Sequence, residues 1–322
     1  MAVAGEGAGQ GAGEGAGADA GSLQSTITPL PGAPRCVLGE SPVWLAEAGE
    51  LWWCDIPGMA LHRWHATTQA HRAWALDAEP GCCAPLTGEH AGQWLLAMRD
   101  GLWRFDPVND SREMLAAPPY DVAHERFNDG RADALGRLWV GTIYEPREPA
   151  LAALYCFDHG RLTRVAGGIT VSNGLAFSPD GKTLYWSDTK AHRISAFDFD
   201  LTSGATGRQR LFAQFDVKTV DTDMASYGGR PDGAAVDVEG AYWVAMFEGS
   251  RLLRLSSHGE VLSEVRLPVR FPTMPCFGGP DMRSLFITTA SEQGDAASPW
   301  AGCVLTLRVD VPGLPVNHAR LA

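Results

Sequence analysis

No stretch of this 322-residue chain approaches the ~18 consecutive apolar residues that a membrane-spanning helix needs, so no membrane partner is expected. Positive charge is also in short supply: 26 Lys and Arg face 38 Asp and Glu, a net charge of −12. A nucleic-acid partner calls for a basic stripe, and this balance argues against one. Excess acid instead holds copies apart by self-repulsion, which fits a monomer or weak oligomer. Cysteine is present but unpatterned, seven residues with no CxxC and no Cys/His zinc spacing. These read as reduced thiols of a cytoplasmic protein. The first residues are not expected to act as a secretory leader: residues 1–22 form a Gly/Ala tract with three acids and no Lys or Arg, whereas a leader needs a basic start and an apolar middle. Such a tract cannot bury enough surface to fold, so residues 1–23 are expected to be a disordered tail and residues 24–322 a single domain.

What the sequence does have is a repeat. Segments beginning at Glu40, Ala84, Asn128, Asn173, Asp232 and Met274 share one outline, an apolar strand, a turn and a strand rich in Trp, Tyr, Leu and Val. The starts step by 44, 44, 45, 59 and 42 residues. Repeats of about 40–50 residues with some four short strands each mark a β-propeller, so the expected fold is all-β: a six-bladed propeller with four-stranded blades. The long step holds an insertion, residues 216–229, and residues 24–36 are expected to add an outer strand to the last blade and close the ring.

The tripeptide Pro-Asp-Gly occurs twice, at 179–181 and at 231–233, and the two copies sit at different points of the repeat. Gly181 belongs to the series of turn glycines Gly49, Gly92, Gly136, Gly181 and Gly240, so the first copy is a hairpin turn. Asp232 instead lies eight residues before Gly240, where the innermost strand begins. Asn128 and Asn173 are also eight residues before their turn glycines and Glu40 is nine before Gly49; Ala84 and Met274 take this place in the other two repeats. Innermost strands line the axis of a propeller, so Glu40, Asn128, Asn173 and Asp232 should converge on one point. Four oxygen-bearing side chains there are costly to desolvate unless a partner meets them. Two carboxylates and two amides offer hard oxygen ligands, and a divalent cation would cancel both charges. Calcium, magnesium, manganese, iron(II) and zinc all remain open. The nine histidines miss every ring position, which argues against a histidine-rich zinc site. Loops Asp55-Ile56, Arg99-Asp100, Tyr144-Glu145, Asp188-Thr189 and Phe247-Glu248 should share this face, Arg126 should reach its rim, and the insertion should lie over it, placed to act as a lid.

The motifs LGESPVW (38–44), RFNDGRADALGRLWVGT (126–142), SNGLAFSPDGKTLYWSD (172–188), RPDGAAVD (230–237) and CFGGPD (276–281) together resemble the regucalcin/gluconolactonase family. The resemblance implies a propeller that binds one divalent cation and hydrolyses a small-molecule sugar lactone of the glucono-, xylono- or arabinono- type. By motif position it implies Glu40, Asn173 and Asp232 as metal ligands, Asp232 also as the proton-transfer residue, and Arg126 and Asn128 as contacts to substrate hydroxyls. The family's acidic residue after the Gly-Thr pair falls on Glu145 in YEPREP. No serine sits in a GxSxG setting, so the expected chemistry has no serine nucleophile; Ser41 and Ser172, beside the ligands, are expected to be structural. Two other readings stay open: a hydrolase of phosphotriesters or aryl esters on the same scaffold, and a non-enzymatic calcium-binding propeller.

Overall fold

In a computed structural model, which describes residues 26–291 and 298–321, the repeat becomes six four-stranded antiparallel sheets. The expected tail, residues 1–23, lies outside the described residues. The first strands of the blades are Gly39–Leu45, Pro80–Pro85, Glu125–Ala132, Ser172–Phe177, Arg230–Val236 and Pro272–Gly278. Each touches the first strands of its neighbours, so together they line the axis. Among the described residues the one helical element is a single turn, Gly88–His90, and no helix is long and apolar enough to cross a membrane.

Alternation along the second strands builds the core. In Glu50–Asp55, Leu51 and Trp53 pack toward blade six with Trp44 and Phe286, while Trp52 and Cys54 pack toward blade two with Trp94 and Leu96. Successive side chains of a strand leave on opposite faces, so one strand serves two interfaces at once. Trp52 lies 4.6 Å from Trp94 and 5.0 Å from Trp74, ring centre to ring centre, a cluster whose buried aromatic area holds blades one and two together.

The ring closes as the sequence predicts. Blade six takes Pro272–Gly278, Ser284–Thr289 and Leu305–Arg308 from one end of the chain and Thr28–Pro29 from the other. Leu30 N–H donates to Val304 O at 2.8 Å, and Cys36 N–H to Gly302 O at 2.8 Å, extending the join beyond the two paired residues. The segment after Arg308 then crosses the opposite face, with bridges from Gly313 to Asp237 and from Ala319 to Leu86.

Candidate metal and substrate site

The six first strands share one irregularity. The last regular pairs with the second strand are Glu40/Cys54, Pro80/Met98, Phe127/Thr142, Asn173/Ser187, Pro231/Met246 and Pro272/Thr289, and directly after them the register slips. A β-bulge of this kind re-aims side chains at the end of a strand. At the edge of this slip stand Glu40 and Asn173, which close the last regular pair, and Gly81, Asn128, Asp232 and Thr273, which directly follow it. Four of the expected ring positions therefore stand as read, but blades two and six contribute Gly81 and Thr273 rather than Ala84 and Met274. Counting back from the turn glycine fails where hairpin loops differ in length, and blade two carries a helical turn in that loop. Neither corrected residue adds an open oxygen. A Cβ on Gly81 would lie 2.4 Å from Phe127 O and 2.8 Å from Asn128 O, so its bareness lets the strand carrying Asn128 approach. The Thr273 hydroxyl is spent on Gly39 O at 2.6 Å.

Glu40, Arg126, Asn128, Glu145, Asn173 and Asp232 all line one cavity of about 380 Å³ at this end of the axis. Its hydrogen bonds are directional. Arg126 Nη1 donates to Asn128 Oδ1 at 2.7 Å, Asn128 Nδ2 to Asn173 Oδ1 at 3.1 Å and to Ser172 O at 2.9 Å, and Asn173 Nδ2 to Thr189 Oγ1 at 2.8 Å. This chain fixes the orientation of both carboxamides and leaves each Oδ1 a second lone pair. The carboxylates are not so served. Glu40, 7% exposed, accepts one long bond from Ser41 N–H at 3.3 Å; Asp232, 6% exposed, accepts none from the described residues. Burial pushes the Asp232 carboxyl up to about 8, with Arg230 and Arg147 opposing and Asp129 adding to the rise. Burial, then the charges of Asp232 and Asp129, raise Glu40 well above the carboxylate range. Two buried, donor-poor carboxylates beside two carboxamides fit a hard divalent cation. Glu40, Asn173 and Asp232 are the residues that would hold it. Ser172 accepts from Trp186 Nε1 at 2.7 Å and Ser41 bonds Cys83 N–H at 3.0 Å, so both hydroxyls are occupied structurally.

Four residues of the site escape the sequence reading. Asp129, 4% exposed, follows Asn128 and does not line the cavity but acts on Glu40 and Asp232 through its charge; its Oδ2 accepts from Leu175 N–H at 2.7 Å and its Oδ1 has no partner among the described residues. Burial pushes it up to about 6. Glu79, Arg147 and Arg230 complete the wall. Arg230 carried a usable signal, since it precedes Asp232 by two residues just as Arg126 precedes Asn128. Of the rim loops, Ile56, Glu145, Thr189 and Phe247 line the cavity, while Asp55 and Asp188 turn away to cap backbone N–H groups of 37–38 and 170–171. The insertion 216–229 contributes nothing to the lining; its Lys218 pairs with Glu248 at 2.7 Å, beside Arg230, and its Tyr227 hydroxyl meets His192 Nε2 at 2.6 Å. One further trio, Cys36, Asp55 and His62, lies within 4.8 Å of one another. Asp55 is committed to three backbone N–H groups there, and burial lifts the Cys36 thiol to about 12, so the trio serves the closure of the ring.

The model of the SMP-30/gluconolactonase/LRE-like region matches residues 38–291. The chain belongs to that family. It is 41% identical over 282 residues to the 6-deoxy-6-sulfogluconolactonase of Pseudomonas putida, covering 86% of this chain and 93% of that one. It is 32% identical over 296 residues to regucalcin of Oryctolagus cuniculus, covering 87% and 94%. Among solved structures, the calcium-binding protein regucalcin of Agrobacterium tumefaciens superposes with a TM-score of 0.82 at 28% identity, covering 91% of this chain and 97% of that one. A luciferin-regenerating enzyme gives 0.83 at 25% identity, covering 92% and 100%.

Proposed function

We propose that this protein is a divalent-cation-dependent hydrolase of a sugar lactone, opening an aldonolactone to its aldonic acid. The observation that carries the reading is the pair of buried, donor-poor carboxylates Glu40 and Asp232 lining one cavity with the carboxamide residues Asn128 and Asn173. The P. putida relative is named for a gluconolactone derivative, and two of the similar proteins carry the name of a calcium-binding protein, regucalcin, which supports both the substrate type and the ion. A cation held by Glu40, Asn173 and Asp232 would polarise the lactone carbonyl and make water easier to deprotonate.

The remaining work falls to this chain's own side chains. Asp232 orients the attacking water and accepts its proton, passing it on as the ring opens. Asn128 has both N–H bonds engaged, so what it offers a sugar hydroxyl is the second lone pair of Oδ1. Arg126 lies along the wall with Nη1 spent on Asn128, and its Nε stands 3.6 Å from Glu145, leaving the other edge of the guanidinium to a substrate oxygen. Glu145 is gripped by both ends of the Arg99 fork at 2.8 and 3.1 Å. Burial would raise its carboxyl, but these bonds outweigh it and hold Glu145 below its usual range, ionised and ready to accept from hydroxyls. A lactone is a strained, reactive ester, so a positioned water and a stabilised oxyanion suffice without a covalent intermediate.

The test is acid release from a panel of aldonolactones by metal-stripped protein, with single divalent ions restored one at a time. Turnover should vanish on stripping and return with at least one ion. If an ion binds tightly yet no lactone opens, the cavity is a binding site, and phosphotriesters and aryl esters become the substrates to try.

A further inference from the structure

The cavity wall has more positive charge than its own partners use. On the side of blades two and three, Arg99 and Arg126 face Glu79 and Glu145: Arg99 lies 2.8 Å from each carboxylate and Arg126 3.6 Å from Glu145, so charge there balances. On the side of blade five, Glu248 is shared by Lys218 at 2.7 Å and Arg230 at 3.4 Å, two cations for one anion. The Arg230 contact is loose: its Nε is buried, makes no hydrogen bond, and the guanidinium lies over the Phe247 ring at 5.4 Å. Arg147 stands on the loop after the second strand of blade three, and its side chain has no hydrogen bond or ion pair with any described residue. Nearby Lys190 is answered by Glu148 at 3.2 Å and by Arg147 O at 2.6 Å, so it offsets nothing.

Arg147 and Arg230 line the same cavity and act on each other as like charges. The floor carboxylates Glu40 and Asp232 are the natural counter-charge, but a divalent cation between them would cancel them. With the floor neutralised, two guanidinium groups with spare donors remain at the mouth of a protein whose overall charge is −12. A neutral sugar gives them no charge to answer.

We propose that Arg147 and Arg230 form an anion subsite in this cavity, and that the lactone taken here carries a negatively charged group, a sulfonate, phosphate or carboxylate, away from its ester carbonyl. This rests on the lactonase reading above and names the substrate class within it. Guanidinium forks suit such a group because they bind planar or tetrahedral oxyanions through paired N–H donors. Arg230 is the anchored member, held by Phe247 and Glu248; Arg147, on an exposed loop, is the member free to close on the ligand.

The experiment compares kcat/KM of the metal-loaded protein for glucono-1,5-lactone with that for the same lactone bearing a sulfonate, a phosphate or a carboxylate at C6. The charged lactones should be preferred at least tenfold, with a KM that rises as salt is added. Arg147→Gln should cut that preference tenfold or more through KM, and Arg230→Lys should weaken it less than Arg230→Gln. Which charged arm is fastest identifies the group. A preference for the neutral lactone, or a ratio that neither arginine variant moves, overturns the subsite. If no lactone of either kind is opened, the lactonase reading fails, and calorimetry with the C6-sulfonated aldonic acid decides the subsite separately. Binding lost in Arg147→Gln supports it, and equal binding in both proteins overturns it.

Discussion

Asp232 shows what the role proposed for it would cost the fold. Its carboxylate is buried, accepts no hydrogen bond from the described residues and is close to Asp129, so in the absence of a cation its charge is expected to destabilise the ring. Asp232→Asn removes the charge while keeping the shape. The metal-stripped variant should melt roughly 2–5 °C above the metal-stripped parent, since each kcal/mol is worth ~2–4 °C in a chain of this size. Turnover should fall by roughly 10²–10⁴, the range for a lost proton acceptor. Calorimetry of both proteins after chelation checks the first part; an unchanged or lower Tm would mean that Asp232 already has a partner. This residue was legible in the sequence because it broke phase with its twin at Asp180. Asp129 was not, although it belongs to the same Asn-Asp-Gly triplet as Asn128. In a strand neighbouring side chains point apart, so the pattern that found Asn128 discounted its neighbour, and only the bulge brings both to the axis.

At the scale of the strand, the site is made as much by residues without side chains as by those with them. Gly81 occupies the ring position of blade two, and Gly174 follows Asn173 with φ of +60°. A Cβ on Gly174 would sit 2.2 Å from the Tyr242 hydroxyl and 2.4 Å from Ser187 Oγ, in a conformation that disfavours any side chain. Ser41 holds the same place in blade one at φ of 49° and is tolerated because its hydroxyl bonds Cys83 N–H at 3.0 Å. Gly81→Ala is the sharper test, because its Cβ would meet backbone, Phe127 O at 2.4 Å, and cannot be relieved by a rotamer change. We expect a loss of about 2–4 kcal/mol in urea unfolding and reduced cation affinity, since the displaced strand carries Asn128. A variant as stable as the parent would show that blades two and three have slack between them. The periodic spacing of strands and turns was open to sequence reading, and so were the positions of Glu40, Asn128, Asn173 and Asp232. The ring positions of blades two and six were not, because hairpin length varies while the bulge does not, and a glycine or a committed threonine leaves no chemical signature to count from.

For the whole molecule, the closing join decides whether six blades behave as one. Thr28–Pro29 covers the outer edge of Leu305–Arg308, and the residues that follow are tied inward: Trp64 Nε1 donates to Pro31 O at 2.8 Å and Trp53 Nε1 meets Cys36 Sγ at 3.2 Å. These contacts bind blade six to blade one, the interface where Trp44 stacks on Phe286 at 5.4 Å. A ring has no weak interface only while it is closed; opened, the blade-one to blade-six seam would rest on side chains alone, and the strand Leu305–Arg308 would expose unpaired N–H and C=O groups. The site depends on the same seam, because Glu40 comes from blade one and Asp232 from blade five, and their approach is set by going around the circle. A chain beginning at residue 38 should therefore lose both properties together. We expect its Tm to drop by about 10 °C or more, concentration-dependent association through the bared edge, and cation affinity weakened in step with stability. Scanning calorimetry at two protein concentrations, with and without the cation, reads all three. If the shortened chain melts with the parent and binds the ion as well, the ring is held by blade packing alone, and the geometry of the cavity owes nothing to its closure.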